Sequence, residues 1–350
     1  MQAEQPGAAV GCRAEHGGHP AIVTRARSSP DRRADAARSG RIGVVTDPAR
    51  SRPVDGFRLA YDVDTAAAGG PPAVLLLHGW PGSRRDHRHV AALLSGRTRT
   101  VVPDLRGFGE SDKHPGPPLQ LYSAAAQARS VLALLDELGV ERAVIGGYDV
   151  GSRVAQEIVR SHPERMAGLV LTPPLPGAGE RLLAPSVQQQ FWYQALHRLP
   201  LAVELLDGRP DAVRAYLRHF WEHWSGPGFR MDPQDLDRLV ELYGAPGAFT
   251  ASIAWYRSRP GPASSAGDRP PAVADRLATP VEVLWPALDP LFPADWADRL
   301  DQWYADARVT VLPDVGHFVP VEAPAAFADA VERLLERVGR PGPPVARRPG

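Results

Sequence analysis

Asp149 lies at the tip of a glycine-flanked turn, where its carboxylate could act as a nucleophile. The stretch GGYDVGSR joins an apolar run to a helical run, and Gly147 and Gly151 permit the sharp bend of a Gly-x-nucleophile-x-Gly turn. Such a bend projects its central residue from the carboxyl edge of a sheet, where the N-terminus of the following helix favours an anion. Alternatively, Asp149 simply caps that helix. This stretch alone does not separate the two interpretations.

A second aspartate and a histidine follow later apolar runs. Asp289 lies in WPALDPLFP and His317 in LPDVGHFVP, each just past the end of a predicted strand. A lone aspartate or histidine in a loop carries little information, but the order nucleophile, acid, histidine matches that of α/β-hydrolases. Because the carboxyl ends of parallel strands meet at one edge of a sheet, we expect the three side chains to lie together.

Two further loops could support this chemistry. LLLHGWPGS (75–83) follows a predicted strand, and the backbone N–H of Trp80 could pair with that of Val150 to bind an oxyanion. An ordinary βα turn would have a similar sequence. PDLRGFGESD (103–112) is another loop at a strand end and is interpreted as structural support rather than as part of the chemistry.

The segment HFWEH (219–223) fits the zinc-binding pattern H-x-x-E-H. It lies among Phe220, Trp221 and Trp224 in what is predicted to be a packed helix, and no third ligand is evident. We therefore predict that the protein uses no metal and no organic cofactor.

The elements that position these residues alternate between strand and helix. Helical runs at 122–139 and 152–163 separate several strands, and an antiparallel hairpin is expected at about 42–63. Strands that are buried on both faces and separated by helices predict an α/β fold with a mostly parallel, doubly wound sheet. The predicted strands cover residues 73–77, 99–105, 143–147, 167–172, 281–285 and 309–313.

Residues 174–272 interrupt this alternation with helical runs, many aromatic residues and proline-rich flanks. We interpret them as a helical cap inserted between two parts of the core, residues 41–173 and 273–338. Residues 1–40 and 339–350 are small, polar and arginine-rich, and are expected to form a disordered tail and a flexible tail.

The composition argues against several classes of partner. The 40 basic and 40 acidic residues balance to a formal net charge of zero, so the composition shows no excess of positive charge that would favour binding to nucleic acid or to an anionic membrane. Lys113 is the only lysine, and we interpret the preference for arginine as a coding bias. Cys12 is the only cysteine, and no apolar run approaches the ~20 residues that span a bilayer. We expect a cytoplasmic protein that acts on a small molecule, and a homodimer is left open.

Together these motifs resemble the epoxide hydrolases of the α/β-hydrolase superfamily. The blocks HGWPGS, DLRGFGESDK, GGYDVGSR, LDP and GHFVPVEAP match that family in order and spacing. The insert is also similar to the family's cap, including its two tyrosine blocks. The resemblance covers about residues 42–338.

The resemblance implies a role for each matching residue. Asp149 would be the nucleophile, His317 the general base and Asp289 the acid that orients it. Tyr193 and Tyr256 match the cap tyrosines that hold the epoxide oxygen.

Further positions are expected to shape the substrate pocket, namely Pro81, Tyr148, Trp192 and Phe318. The family usually has histidine before the nucleophile and often tryptophan after it, whereas this chain has Tyr148 and Val150. These departures bear on the shape of the pocket, and hence on the substrate, more than on the mechanism.

The implied reaction opens an epoxide to a vicinal diol through an aspartyl ester, with water as the second substrate. A carboxylate needs no base to attack an sp³ carbon, and two phenols with a pKa near ~10 can protonate the ring oxygen without ionising beforehand. His317 would then deprotonate the water that cleaves the ester. The aromatic-rich cap suggests an apolar or bulky substrate, for example a natural-product epoxide.

Other functions share parts of this pattern. A haloalkane dehalogenase uses the same triad but typically has tryptophan after the nucleophile, and a fluoroacetate dehalogenase has arginine there, where this chain has Val150. A non-catalytic binding protein would not need to retain the triad. A serine esterase is disfavoured because Ser152 lies beyond the turn.

Overall fold

The computed structural model describes residues 22–25, 48–64, 72–259, 261 and 267–339. The strands of this part of the chain are β1 (Ile22–Arg25), β2 (Ala49–Arg50), β3 (Ala60–Asp64), β4 (Ala73–Leu77), β5 (Thr100–Pro103), β6 (Ala143–Gly147), β7 (Met166–Leu171), β8 (Val281–Pro286) and β9 (Ala307–Leu312). They form one sheet in the order β1-β9-β8-β7-β6-β4-β5-β3-β2. All neighbouring pairs are parallel except β3 with β5 and β2 with β3. The predicted fold class is confirmed.

The central strands are buried on both faces because helices cover each side of the sheet. The helices that follow the early strands are α1 (Arg88–Leu94), α2 (Pro118–Tyr122), α3 (Ala124–Glu137) and α4 (Val150–Ser161). The last two helices are α11 (Val319–Glu322) and α12 (Pro324–Gly339). Leu75 and Leu77 of β4 share a core cluster with residues of α3 and α4, whereas Val74 and Leu76 pack with residues of α1 and α12. This alternation follows from the two-residue period of a strand.

The chain between β7 and β8 is helical in its described part. Its helices are α5 (Pro185–Gln190), α6 (Trp192–Arg198), α7 (Pro200–Leu206), α8 (Pro210–Trp224), α9 (Pro233–Gly244) and α10 (Ala248–Arg257). We call residues 179–257 the cap segment. Proline is the first residue of four of these six helices (α5, α7, α8 and α9), where its missing N–H has no intrahelical partner to lose. The domain boundaries placed at 173/174 and 272/273 stay predictions.

The edge strand β1 is a feature that the sequence analysis missed, because it assigned residues 1–40 to a disordered tail. Ile22–Arg25 pairs in parallel with β9, in the register Ile22 to Arg308 through Arg25 to Val311. The strand is only four residues long and lies in an arginine-rich stretch. Its local sequence pattern is therefore a weak signal for a strand, and the pairing with β9 is what establishes it. The rest of that predicted tail, and residues 340–350, lie outside the described residues.

The expected hairpin is present in its described part, where Ala49 and Arg50 of β2 pair antiparallel with Tyr61 and Ala60 of β3. Residues 42–47 of that prediction lie outside the described residues. No helix in the described ranges is long and apolar enough to cross a membrane.

Candidate active site

Asp149 stands at the turn between β6 and α4. Its backbone has φ 49° and ψ −116°, a conformation that non-glycine residues rarely adopt and that is typical of a strained strand-to-helix turn. A Cβ on Gly147 would lie 2.6 Å from the backbone of Gly151, and one on Gly151 would lie 2.2 Å from the Leu77 carbonyl oxygen. The Asp149 side chain makes no capping bond to α4. The interpretation of Asp149 as a helix cap is therefore wrong.

The Asp149 carboxylate instead contacts two groups at the carboxyl edge of the sheet. The backbone N–H of Trp80, just after β4, donates to Oδ1 at 2.8 Å. His317 Nε2 lies 3.5 Å from Oδ2. Val150, the other expected oxyanion donor, lies at the base of the cavity as the first residue of α4. Its N–H makes no bond to this carboxylate in the described structure.

His317 is held by Asp289, as expected from the order of the motifs. Its Nδ1 bonds Asp289 Oδ2 at 2.9 Å, and Asp289 Oδ1 accepts from the Leu291 N–H at 2.8 Å. Burial alone would lower the pKa of His317, but the carboxylates of Asp289 and Asp149 outweigh it and raise that pKa to about 10. In the resting state His317 is therefore an imidazolium between two carboxylates.

The loop that carries Trp80 is fixed by the segment 103–112, which gives that segment a structural role. His78 Nε2 accepts from the Leu105 N–H at 3.0 Å, and Asp104 Oδ1 accepts from the Arg84 N–H at 2.7 Å. Burial lowers the pKa of His78, which keeps the imidazole neutral and able to accept this bond. These bonds hold the Trp80 N–H against Asp149.

Tyr193 of α6 and Tyr256 of α10 both face the cavity above Asp149. Both side chains are buried, and their rings pack edge to face with centroids 5.6 Å apart. Tyr193 Oη accepts from Gln194 Nε2 at 3.1 Å, so its own proton stays free, and Tyr256 Oη is buried without a partner among the described residues. Burial and the charge of Asp149 raise the pKa of both phenols well above 10, which keeps them as neutral donors.

The cavity that joins these groups has a volume of about 60 Å³. Its lining is mixed in polarity, because arginine and glutamine side chains share it with the aromatic residues. The arginines are Arg153, Arg198 and Arg259, none of which was among the predicted site residues. Arg153 lies in the first turn of α4, and no local pattern in the sequence distinguishes it from an exposed helical arginine.

Tyr148 was expected to contact substrate, but it points away from the cavity. Its Oη donates to Asp86 Oδ2 at 2.6 Å, and the same oxygen accepts from the Ser83 N–H at 3.0 Å. Burial raises the pKa of Asp86 to about 7, although the bond from Tyr148 opposes that shift. Tyr148 thus anchors the turn that follows Trp80, which explains a large residue at this position.

Trp192, Pro81 and Phe318 also do not line the cavity, contrary to expectation. Trp192 stacks on Phe220 instead and is 44% exposed, so its side chain lies on the outer side of α6. The Pro81 carbonyl accepts from Trp221 Nε1 at 3.2 Å, and the Phe318 ring stacks on the Trp221 ring at 3.7 Å. Pro81 and Phe318 therefore join the core to α8.

The H-x-x-E-H segment lies on α8 with its polar side chains exposed. His219 and His223 stack at 5.5 Å, and His223 Nε2 bonds Gln190 Oε1 at 3.1 Å. Within the described ranges, no group of three or more histidine, cysteine, aspartate or glutamate side chains could hold a metal ion.

Comparison with known proteins identifies the fold family. The family model for the alpha/beta hydrolase fold matches residues 72–324, which is most of the chain. This chain belongs to the α/β-hydrolase family.

Among similar proteins, this α/β-hydrolase is 28% identical over 294 residues to the soluble epoxide hydrolase of Corynebacterium sp. (strain C12), covering 81% of this chain and 95% of the relative. It is 29% identical over 202 residues to the fluoroacetate dehalogenase of Burkholderia sp., covering 56% and 65%. A solved structure of an epoxide hydrolase from metagenomes of hot environments has a TM-score of 0.71 at 25% identity, covering 83% and 99%. The resemblance to epoxide hydrolases is confirmed.

Proposed function

We propose that this α/β-hydrolase converts an epoxide to a vicinal diol through a covalent ester on Asp149. The observation that carries the proposal is one buried cavity that contains the Asp149 carboxylate and two neutral phenols, one of them without a partner. A carboxylate can attack an epoxide carbon directly, and the phenols can protonate the oxygen that leaves.

In the first step, Asp149 Oδ2 would attack a ring carbon while Oδ1 stays bound to the Trp80 N–H. A bond forms between Oδ2 and that carbon as the ring C–O bond breaks. The negative charge moves from the carboxylate to the ring oxygen, which takes a proton from Tyr193 or Tyr256. The product is a neutral hydroxyalkyl ester of Asp149.

In the second step, His317 would remove a proton from water, and the resulting hydroxide attacks Cγ of the ester. For this His317 must first lose the proton that two carboxylates stabilise in the resting state, and that proton passes to the tyrosinate left by the first step and restores the phenol. Alkylation removes the charge of Asp149 and so lowers the pKa of His317 at the moment when a base is required. The Trp80 N–H, already directed at Oδ1, stabilises the tetrahedral intermediate. The diol then leaves with a proton from His317, and the carboxylic acid formed on Asp149 returns its proton to His317, which restores the resting state.

A dehalogenase is the second candidate, because the chain is also similar to a fluoroacetate dehalogenase and the same triad can displace a halide. The paired phenols favour the epoxide. A halide leaves as a stable anion, whereas the alkoxide of an opened epoxide is strongly basic and requires a proton.

A single turnover with excess enzyme in ¹⁸O-labelled water tests the proposed route. Styrene oxide and 1,2-epoxybutane serve as neutral substrates, 3,4-epoxybutanoate serves as an anionic one, and diol is measured by mass spectrometry. Label is expected on Asp149 and absent from the first diol, because the water oxygen enters the ester carbonyl.

Two controls make the result decisive. Asp149→Asn lacks a nucleophile and is expected to form no ester or diol. Fluoroacetate and 1-chlorobutane, with halide detection, test the second candidate. Halide release without diol from any epoxide would show a dehalogenase, and label directly in the first diol would refute the covalent route.

A further inference from the structure

Three arginine side chains converge on the cavity of Asp149 from different elements. Arg153 lies in α4, Arg198 is the last residue of α6, and Arg259 follows α10. The core and the cap segment thus both direct guanidinium groups to the place where substrate must bind.

These guanidinium groups lack carboxylate partners. The Nε atoms of Arg153 and Arg198 are buried without a hydrogen-bond partner in the described structure. The ring of Trp255 lies 5.5 Å from the guanidinium carbon of Arg259. No carboxylate of the described residues lies within 4 Å of any of the three; Asp268, the acid that acts on Arg153 and Arg259 from further away, is exposed.

The two arginines that are buried in the described part of the chain are both paired. Arg84 binds the carboxylates of Asp62, Asp104 and Glu110, and Arg106 binds Asp55 at 2.9 Å. Burying a guanidinium group without such a partner is costly. Arg153, Arg198 and Arg259 are half-buried, but all three face one cavity with no carboxylate of the described residues within 4 Å, so an anion supplied from outside would complete the site.

The charge of Asp149 acts on Arg259 from a distance, but its carboxylate lies more than 4 Å from all three guanidinium groups and is instead contacted by Trp80 and His317. Burial and the neighbouring charge of Arg259 lower the pKa of Arg153 to about 9, which still leaves it cationic at neutral pH. Planar guanidinium donors match the two oxygens of a carboxylate better than any neutral group.

The charge of the cavity walls bears on the class of ligand. Arg153, Arg198 and Arg259 line the cavity together with Asp149 and the two phenols. Three guanidinium groups on these walls disagree with the apolar substrate that the aromatic-rich cap suggested.

We propose that the substrate is an epoxide bearing a carboxylate, which Arg153, Arg198 and Arg259 bind while Asp149 attacks the ring. The inference rests on the proposed epoxide chemistry and specifies its substrate class. Binding at the carboxylate would fix which ring carbon faces Asp149.

A matched pair of substrates tests this inference. We expect kcat/KM for 3,4-epoxybutanoate to exceed that for the neutral 3,4-epoxybutanamide, which has nearly the same shape. Hydrogen bonds to a charged group are worth enough to give a roughly 10- to 100-fold preference per guanidinium. Arg198→Gln and Arg259→Gln should each reduce the carboxylate-to-amide ratio by about that factor.

The control variant is Arg218→Gln, at an exposed arginine of α8 that lies 4.0 Å from Glu222 and outside the cavity. It should leave the ratio unchanged. Equal or better turnover of the amide by the wild-type enzyme would overturn the carboxylate inference and leave the epoxide hydrolase in place.

If neither of these epoxides reacts but styrene oxide or 1,2-epoxybutane gives a diol, only the carboxylate inference is overturned. If none of the four epoxides reacts, the proposed function is wrong, and the inferred substrate class falls with it. Calorimetric titration with butanoate then examines the arginine cluster itself. If the wild-type enzyme binds butanoate and Arg198→Gln and Arg259→Gln weaken that binding, the cavity retains an anion site that serves another reaction. If butanoate does not bind, the anion site is refuted as well.

Discussion

Tyr256 provides the sharpest test of the mechanism, because activity and stability should change in opposite directions. Its Oη is buried and has no partner among the described residues, so the hydroxyl contributes no bond to the fold. A buried polar group without a partner costs about 1–3 kcal/mol, part of which Tyr256→Phe would recover. We expect the free energy of unfolding to stay constant or rise by up to about 1 kcal/mol.

The same substitution should impair ester formation. One donor to a developing oxyanion is typically worth about 10²- to 10³-fold in rate, and Tyr256 is one of two such donors. Diol formation from an epoxide should therefore fall by about that factor, as measured in steady state and in a rapid-quench assay of the first turnover. Urea denaturation measures the change in stability.

Two variants serve as comparisons for Tyr256→Phe. Tyr193→Phe should impair activity similarly, but its free energy of unfolding should fall by about 0.5–1.5 kcal/mol, because the substitution removes the hydrogen bond from Gln194. Tyr216→Phe breaks a bond of 3.0 Å to His197 outside the cavity and should lower stability with little effect on rate. A Tyr256→Phe enzyme that is destabilised by more than about 1 kcal/mol but retains full activity would refute the reasoning.

The remaining predictions concern the residues around the turn. His317→Gln should leave Asp149 able to form the ester but not to release it, so intact mass spectrometry should detect the enzyme with one substrate molecule attached. NMR titration should show wild-type His317 losing its proton near pH 10 and at a lower pH in Asp149→Asn, because one of the two carboxylates that raise its pKa is absent. Since this pKa is raised, the pair's contribution to stability should be complete below pH ~6.5 and be lost as the pH rises through about 10. Gly151→Ala should destabilise the fold by about 1–3 kcal/mol in urea denaturation, because the added methyl group would overlap the Leu77 carbonyl.

The sheet was predictable from the sequence because its strands are short apolar runs with local boundaries. Residues 73–77 and 143–147 coincide with β4 and β6, and 281–285 with all but the last residue of β8. The proximity of Asp149, Asp289 and His317 was predictable for the same reason, since they follow the carboxyl ends of the parallel strands β6, β8 and β9. Their catalytic roles stay predictions. Tyr193 and Tyr256 required the family resemblance, because nothing in a helix pattern distinguishes a pocket phenol from a core phenol. The cytoplasmic location and the homodimer stay predictions.

The arginines of the cavity and the true positions of Tyr148 and Trp192 were not predictable in this way. Charged residues are mostly exposed, and in a chain with one lysine an arginine at 153 or 198 carries no special signal. Whether such an arginine lines the cavity depends on which helix faces lie together, and the packing of the cap segment on the core determines those faces. Tyr148 similarly depends on Asp86, which lies 62 residues away in sequence.

The charge of Asp149 connects the two halves of the proposed cycle. In the resting state this carboxylate, together with burial, raises the pKa of both phenols, and with Asp289 it raises the pKa of His317. Alkylation replaces the carboxylate by a neutral ester. The pKa of the phenols then falls, so they can protonate the alkoxide more readily. The pKa of His317 also falls, so the neutral imidazole that deprotonates water becomes available. The arginines take no part in these changes of charge, because a substrate carboxylate bound to them stays ionised throughout the cycle. The charge of Asp149 can thus control both proton transfers without a conformational change, provided that the arginines neutralise the substrate carboxylate.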